Sequence, residues 1–185
     1  MYEVEYKVEL SHEEKDKLIN TLATRGFLAQ GVTPQHDLYI AAQESPFGGY
    51  DLKRYRREGD VYFYTEKTWE NIGETLARNE IERTVSSEEF ENAVASHPQS
   101  ITIVKNREWF AGEYNGRALH ATIDTVKFDH SAGDRYFVEA EIVIENKADV
   151  LETKHFVQVF LHDVLQTEEL PIESPGMFSM AYKKL

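Results

Sequence analysis

Charge recurs at alternate positions along one segment of the chain after another. Glu3, Glu5 and Lys7 stand two apart, as do Arg54 and Arg56, Lys105 and Arg107, and Glu139 and Glu141. Arg78, Glu80 and Glu82 repeat the spacing, and Lys67 and Asp124 stand as single members. In an extended strand, residues two apart point to the same face. Carboxylates placed so bring several oxygens together, which is hard-cation coordination suited to Mg²⁺ or Mn²⁺. Arginine forks and lysine point charges are the usual means of holding phosphate oxygens. Acids and bases segregated along one channel describe a polyphosphate gripped by Arg and Lys at one end. Metal at the other end would polarise a phosphorus and activate water or a hydroxyl.

The elements that must position these residues are mostly strands. Tyr2–Leu10 alternates with period two, its charges on one face and Tyr2, Val4, Tyr6, Val8 and Leu10 on the other. Extended segments are expected at Phe27–Val32, Gln35–Ala42, Tyr50–Glu58, Val61–Thr68, Leu76–Val85, Ser100–Phe110, Ala118–Val126 and Tyr136–Ile144. Gly48-Gly49, Gly59-Asp60 and Asn115-Gly116 mark turns between them. Ser11 with Glu14 forms a capping box for a helix running to Arg25 and stopped by Gly26. Ser86 with Glu89 caps a second, ending near His97-Pro98, and an amphipathic third covers Asp149–Leu165.

For any single strand, a charged face marks a solvated sheet surface. Eight strands repeating it call for a closed barrel, with the charges inside and Tyr55, Ile81, Ile123, Val138, Ala140 and Ile142 packed outward beneath helices. The expected lining is balanced: the acids Glu3, Glu5, Glu80, Glu82, Asp124, Glu139 and Glu141 against the bases Lys7, Arg54, Arg56, Lys67, Arg78, Lys105 and Arg107. The expected fold is therefore α+β, an eight-stranded antiparallel β-barrel with flanking α-helices, built as a single domain over residues 1–185.

The chain has 185 residues, a formal charge of −13 and no cysteine. Disulfides, thiolate metal sites and cysteine nucleophiles are excluded. No segment reads as a signal peptide or membrane span, so a cytoplasmic protein with no membrane partner is expected. The acid surplus argues against binding a nucleic-acid duplex and leaves room for a small polyanion.

In order along the chain, the charged motifs resemble those of the CYTH domain, or triphosphate tunnel metalloenzymes. Glu3-Val4-Glu5-Tyr6-Lys7 is similar to the family's N-terminal Glu-x-Glu-x-Lys. Arg54-Tyr55-Arg56, Thr65-Glu66-Lys67, Arg78-Asn79-Glu80-Ile81-Glu82, Lys105-Asn106-Arg107, Ile123-Asp124-Thr125-Val126 and Glu139-Ala140-Glu141 follow its later motifs, and Ala181-Tyr182-Lys183-Lys184-Leu185 its ending. Two loops, Ala42–Tyr50 and Phe128–Tyr136, depart from the pattern. The resemblance implies an eight-stranded tunnel acting on triphosphates with Mg²⁺ or Mn²⁺. It implies Glu3, Glu5, Glu82, Asp124, Glu139 and Glu141 as metal ligands, and Arg54, Arg56, Lys67, Arg78, Lys105 and Arg107 as triphosphate contacts. Lys7, beside the metal, would orient the attacking water, and Glu5 would share in catalysis.

The expected function is divalent-metal-dependent hydrolysis of a small-molecule triphosphate, inorganic or organic, by a monomer or homodimer. Class IV adenylate cyclase, making cyclic AMP and pyrophosphate from ATP, is the alternative. A non-catalytic polyphosphate- or nucleotide-binding module is the second. Trp69 and Trp109, two residues after Lys67 and Arg107, read either as partly buried strand-end aromatics or as stacking surfaces at a tunnel mouth. The seven histidines show no ligand-like spacing; His120, which shares parity with Asp124 along one strand, is the exception that could face the tunnel. Lys53, Arg57 and Arg83 have the opposite parity and are expected on the solvent side.

Overall fold

Alternation in β1 (Tyr2–Leu10) separates the two environments of the molecule: Val4, Tyr6 and Leu10 are buried on one face, and Glu3, Glu5 and Lys7 lie on the other. The computed structural model describes residues 2–46, 50–72, 75–128 and 133–182, without the side chains of 70–72, 75–78 and 182. After β1 come α1 (His12–Thr24), β2 (Leu28–Glu44), β3 (Tyr50–Glu58), β4 (Val61–Ile72), β5 (Thr75–Val85) and α2 (Ser87–Ser96). Then follow β6 (Ile101–Tyr114), β7 (Arg117–Lys127), β8 (Arg135–Ile144), a 3₁₀ turn at Lys147–Asp149, α3 (Val150–Leu165) and α4 (Met177–Tyr182).

The eight strands form a closed antiparallel barrel in the order β1-β5-β4-β3-β2-β6-β7-β8. Its ladders set the charged rows side by side: Glu5 opposite Glu141, Lys7 opposite Glu139, Asp37 opposite Arg56, Arg107 opposite Asp124 and Lys67 opposite Glu80. Closure between β1 and β5 runs through Glu3 opposite Arg78.

The segments expected separately at Phe27–Val32 and Gln35–Ala42 are one strand, β2. Its register against β6 slips between Ala29 and Gly31, where Gly31 takes φ +112°, and slips against β3 between Tyr39 and Ala41. The pattern breaks because bulges shift the parity, while the strand itself continues. The Asn115-Gly116 hairpin has positive φ at both residues, the geometry of a type I′ turn. The Gly48-Gly49 turn lies outside the described residues, as do 129–132 of the Phe128–Tyr136 loop and Lys183–Leu185 of the tail.

The main apolar core lies outside the barrel wall. Leu18 and Leu22 of α1 and Val157, Phe160, Leu161 and Val164 of α3 cover Tyr6, Phe110, Leu119, Ala121, Ile123, Val138 and Ala140. The capping box of α1 is complete, with Ser11 and Glu14 bonded reciprocally. At α2, Ser86 accepts from the Glu89 amide, but the Glu89 carboxylate turns outward to Arg83 and Tyr55. Ile81 departs from expectation: it is 63 % exposed rather than packed beneath a helix. Tyr55 packs instead against Tyr64, their ring centroids 5.0 Å apart. Among the described residues no helix is long and apolar enough to cross a membrane.

One end of the barrel interior is apolar. Ile103, Val126 and Phe137 share parity with Lys105, Asp124 and Glu139, and they pack with Phe128 and with Met177 and Ala181 of α4. The sequence reading did not anticipate α4. It is brought there by the preceding segment: the Ser174 amide donates to the Lys7 carbonyl at 2.8 Å, and the Glu9 amide donates to Ser174 Oγ at 2.8 Å. Tyr6 Oη donates to the Pro171 carbonyl at 2.7 Å.

Candidate active site

The inward faces of the strands enclose a cavity of about 900 Å³. Of the fourteen charged residues expected to line it, Glu3, Glu5, Lys7, Arg54, Arg56, Lys67, Glu80, Glu82, Lys105, Arg107, Glu139 and Glu141 do so. For Arg78 the strand position alone is described. Asp124 is fully buried in the barrel wall rather than on the cavity surface. Its Oδ2 accepts from Lys105 Nζ at 2.9 Å and from Arg107 Nη2 at 2.7 Å, and its Oδ1 from Arg107 Nε at 2.7 Å.

Around the carboxylates of β1 and β8 the pairing is dense. Lys7 Nζ lies 2.6 Å from Glu139 Oε1, and Arg107 donates to the other Glu139 oxygen. Burial opposes ionisation of Glu139, but Lys7 and Arg107 outweigh it and hold the carboxylate well below its usual range. Glu3 and Glu141 go the other way. Burial, with Glu5 and Glu80 adding against the opposing pull of Lys67, pushes Glu3 up to about 9. Burial and then Glu139 raise Glu141. On β4 and β5, Lys67 Nζ lies 2.5 Å from Glu80 and 3.9 Å from Glu3.

Among the described residues, no three carboxylate or imidazole groups are already gathered as a coordination sphere. The donor set nevertheless fits a hard divalent cation. Glu5 and Glu141 face each other directly across a ladder, where like charges repel, and Glu3 is crowded against them. A cation shared by these oxygens removes that repulsion, and oxygen-only ligands suit Mg²⁺ or Mn²⁺.

The wall also holds residues that the sequence reading missed. Asp37, 1 % exposed, accepts Arg56 Nε at 2.6 Å and Nη2 at 2.8 Å, and its Oδ2 lies 3.5 Å from Arg54 Nη1. Its signal was present: an acid inside an otherwise alternating segment, on the parity of Gln35 and Tyr39. Glu44, Glu58 and Glu173 line the cavity as well. The lining is therefore richer in acid than the balanced set expected from the sequence. Tyr39, Tyr50, Leu52, Trp69, Met177 and Phe178 give it an aromatic and apolar wall, with Phe178 5.1 Å from Tyr39 and 5.2 Å from Tyr50. Trp109 also faces the cavity, with the Arg107 guanidinium 5.3 Å from its ring. His120 is 60 % exposed at the rim, its Nδ1 3.8 Å from Glu141. Lys53 and Arg83 lie outside on ion pairs with Glu66 and Glu89.

This barrel has known counterparts. The family model of the CYTH domain matches residues 1–163. The chain belongs to the CYTH family. Among solved structures, the PH1819 protein from Pyrococcus horikoshii OT3 is similar at 21 % identity, with 100 % of each chain covered and a TM-score of 0.68. A putative adenylate cyclase from Vibrio parahaemolyticus is 14 % identical over 98 % of each chain, also at a TM-score of 0.68. A putative adenylyl cyclase from Hippeastrum, described as having a dominant triphosphatase activity, is 14 % identical at a TM-score of 0.59, covering 100 % of this chain and 96 % of its own. At these identities the structural likenesses establish the fold. No curated protein matches the chain in sequence. CYTH proteins are triphosphatases or cyclases, generally using divalent metals.

Proposed function

We propose that this CYTH protein hydrolyses a triphosphate with the help of Mg²⁺ or Mn²⁺. The observation that carries the reading is the meeting of two chemistries in one cavity: Arg54, Arg56, Lys67, Lys105 and Arg107 for phosphoryl oxygens, and Glu3, Glu5, Glu139 and Glu141 for a hard cation. A bound divalent ion would supply charge neutralisation and polarisation of the phosphoryl group under attack. The guanidinium and ammonium groups hold the chain of phosphates in line and stabilise charge developing on its oxygens. Lys7, anchored on Glu139, orients the attacking water. Asp124 positions Lys105 and Arg107, and Glu82, bonded to Thr65 at 3.0 Å, borders Arg54.

The test is orthophosphate release from tripolyphosphate. Activity should require Mg²⁺ or Mn²⁺, and Glu5→Gln or Glu141→Gln should lower it at least about 100-fold, beyond what losing an outer partner of a ligand costs. Wild-type turnover that survives chelation would overturn the reading.

Class IV adenylate cyclase stands as a second reading because of the aromatic wall. The cavity is near the upper end of the ~300–1,000 Å³ typical of small-molecule sites, more than three phosphates fill. Tyr50, Trp69 and Phe178 offer an organic group a surface to stack on. Product analysis after incubation with ATP separates the two: orthophosphate for the hydrolase, cyclic AMP with pyrophosphate for the cyclase. Tight triphosphate binding without turnover under either metal would indicate a binding module.

A further inference from the structure

We propose that Asp37 is a positioning residue for the triphosphate: its carboxylate, sealed inside the barrel, clamps Arg56 and steadies Arg54 so that their remaining N–H groups face the cavity. The proposal rests on the triphosphate reading above.

Asp37 stands directly opposite Arg56 in the β2–β3 ladder, and Tyr39 stands opposite Arg54. A guanidinium carries five N–H donors in one plane. Asp37 takes two of them from Arg56, at 2.6 and 2.8 Å, which fixes the plane by two points and leaves three donors for a ligand. Arg54 is otherwise loosely held. Its Nη2 donates to Thr65 Oγ1 at 3.2 Å, Glu82 and Glu80 stand 3.8 and 3.9 Å away, and its Nε has no hydrogen-bond partner among the described residues. The Asp37 oxygen 3.5 Å from Nη1 is the nearest acid to that guanidinium.

Without Asp37, Arg54 and Arg56 would share one interior with almost no exposure and their nearest described counter-charge gone. Their mutual repulsion would splay the forks away from a shared ligand. The neighbouring strand pair repeats the arrangement: Asp124 on β7 brackets Lys105 and Arg107 of β6. The buried cations are thus held in two pairs, each by one aspartate. A carboxylate serving as charge balance alone would not need the two-point contact. That contact sets direction.

The test is a double-mutant cycle on the full chain: wild type, Asp37→Asn, Arg56→Lys and the double variant, each titrated calorimetrically with inorganic tripolyphosphate in the presence of Mn²⁺. Asp37→Asn should weaken binding by roughly tenfold or more, the scale of one charge-assisted hydrogen bond. On the Arg56→Lys background, which has no fork to orient, the same change should cost little. Asp37→Glu, which keeps the charge and moves it by one methylene, should recover part of the loss. It also replaces Asp37→Asn in the cycle if that variant does not fold. Titration with Mn²⁺ alone should be the same across the series. Penalties that add independently in the cycle would overturn the proposal. If wild type binds tripolyphosphate and Asp37→Asn binds it equally, the positioning role alone falls. If wild type binds none, the triphosphate reading falls and takes this one with it.

Discussion

Lys105 shows most directly how burial sets the chemistry of a single residue here. Burial, and next the Arg107 charge, bring its ammonium down from an ordinary 10.5 to about 7, against the pull of Asp124 and Asp37, with Arg56 adding to the push. Between those two values the folded protein binds fewer protons than the unfolded chain. Charged Lys105 therefore costs stability below about pH 7, and the cost fades as pH rises from there toward 10.5. Triphosphate binding has the opposite sign, because phosphate oxygens need the ammonium. Affinity for tripolyphosphate should fall as pH rises through about 7, and binding at pH 8 should take up a proton. Calorimetry in buffers of differing ionisation enthalpy measures that uptake, and Lys105→Met should abolish it. Uptake that persists in the variant would assign the proton elsewhere. None of this was legible from residue types. Lys105-Asn106-Arg107 announced a phosphate grip, but the protonation of Lys105 depends on Asp124 and Asp37, carried by the two strands that flank β6 in the barrel.

At the scale of elements, local patterning was read closely wherever the physical cause was local. The α1 cap, the Asn115-Gly116 hairpin and the inward rows of β1 and β8 follow from hydrogen bonds or alternation within a few residues. β2 was read as two pieces because bulges broke its period, and α4 was missed because its six residues find their place only against the barrel end. The close pass of β6 beneath Phe27 is another such tertiary feature. A Cβ added at Gly112 would stand 2.6–2.9 Å from the Phe27 ring, which is itself packed at 5.3 Å against Phe160 of α3. Gly112→Ala should destabilise the fold by about 1–3 kcal/mol through overpacking. Thermal unfolding checks this, with roughly 2–4 °C lost per kcal/mol for a chain of this size. An unchanged melting temperature would mean that Phe27 yields without cost.

For the whole molecule, the charge of −13 and the contents of the cavity act at different ranges. The net field repels a free polyanion at a distance, while the buried bases attract it only at contact. The association rate of free tripolyphosphate should therefore rise with added salt from low ionic strength, even as equilibrium binding weakens. Stopped-flow mixing tests this, and a rate that falls with salt would reveal basic steering at the mouth. The amino-acid sequence by itself determined the alternation of the unbulged strands, and so most of the residues that face inward, together with the family, because a regular strand's period depends on nothing beyond the strand. The tertiary structure alone decided which acid pairs with which base. It withdrew Asp124 into the wall, brought Asp37 to the arginines, and packed α4 against one end. Those outcomes depend on register between paired strands, on the bulges that shift it and on packing against the barrel end, none of which a single strand's alternation contains.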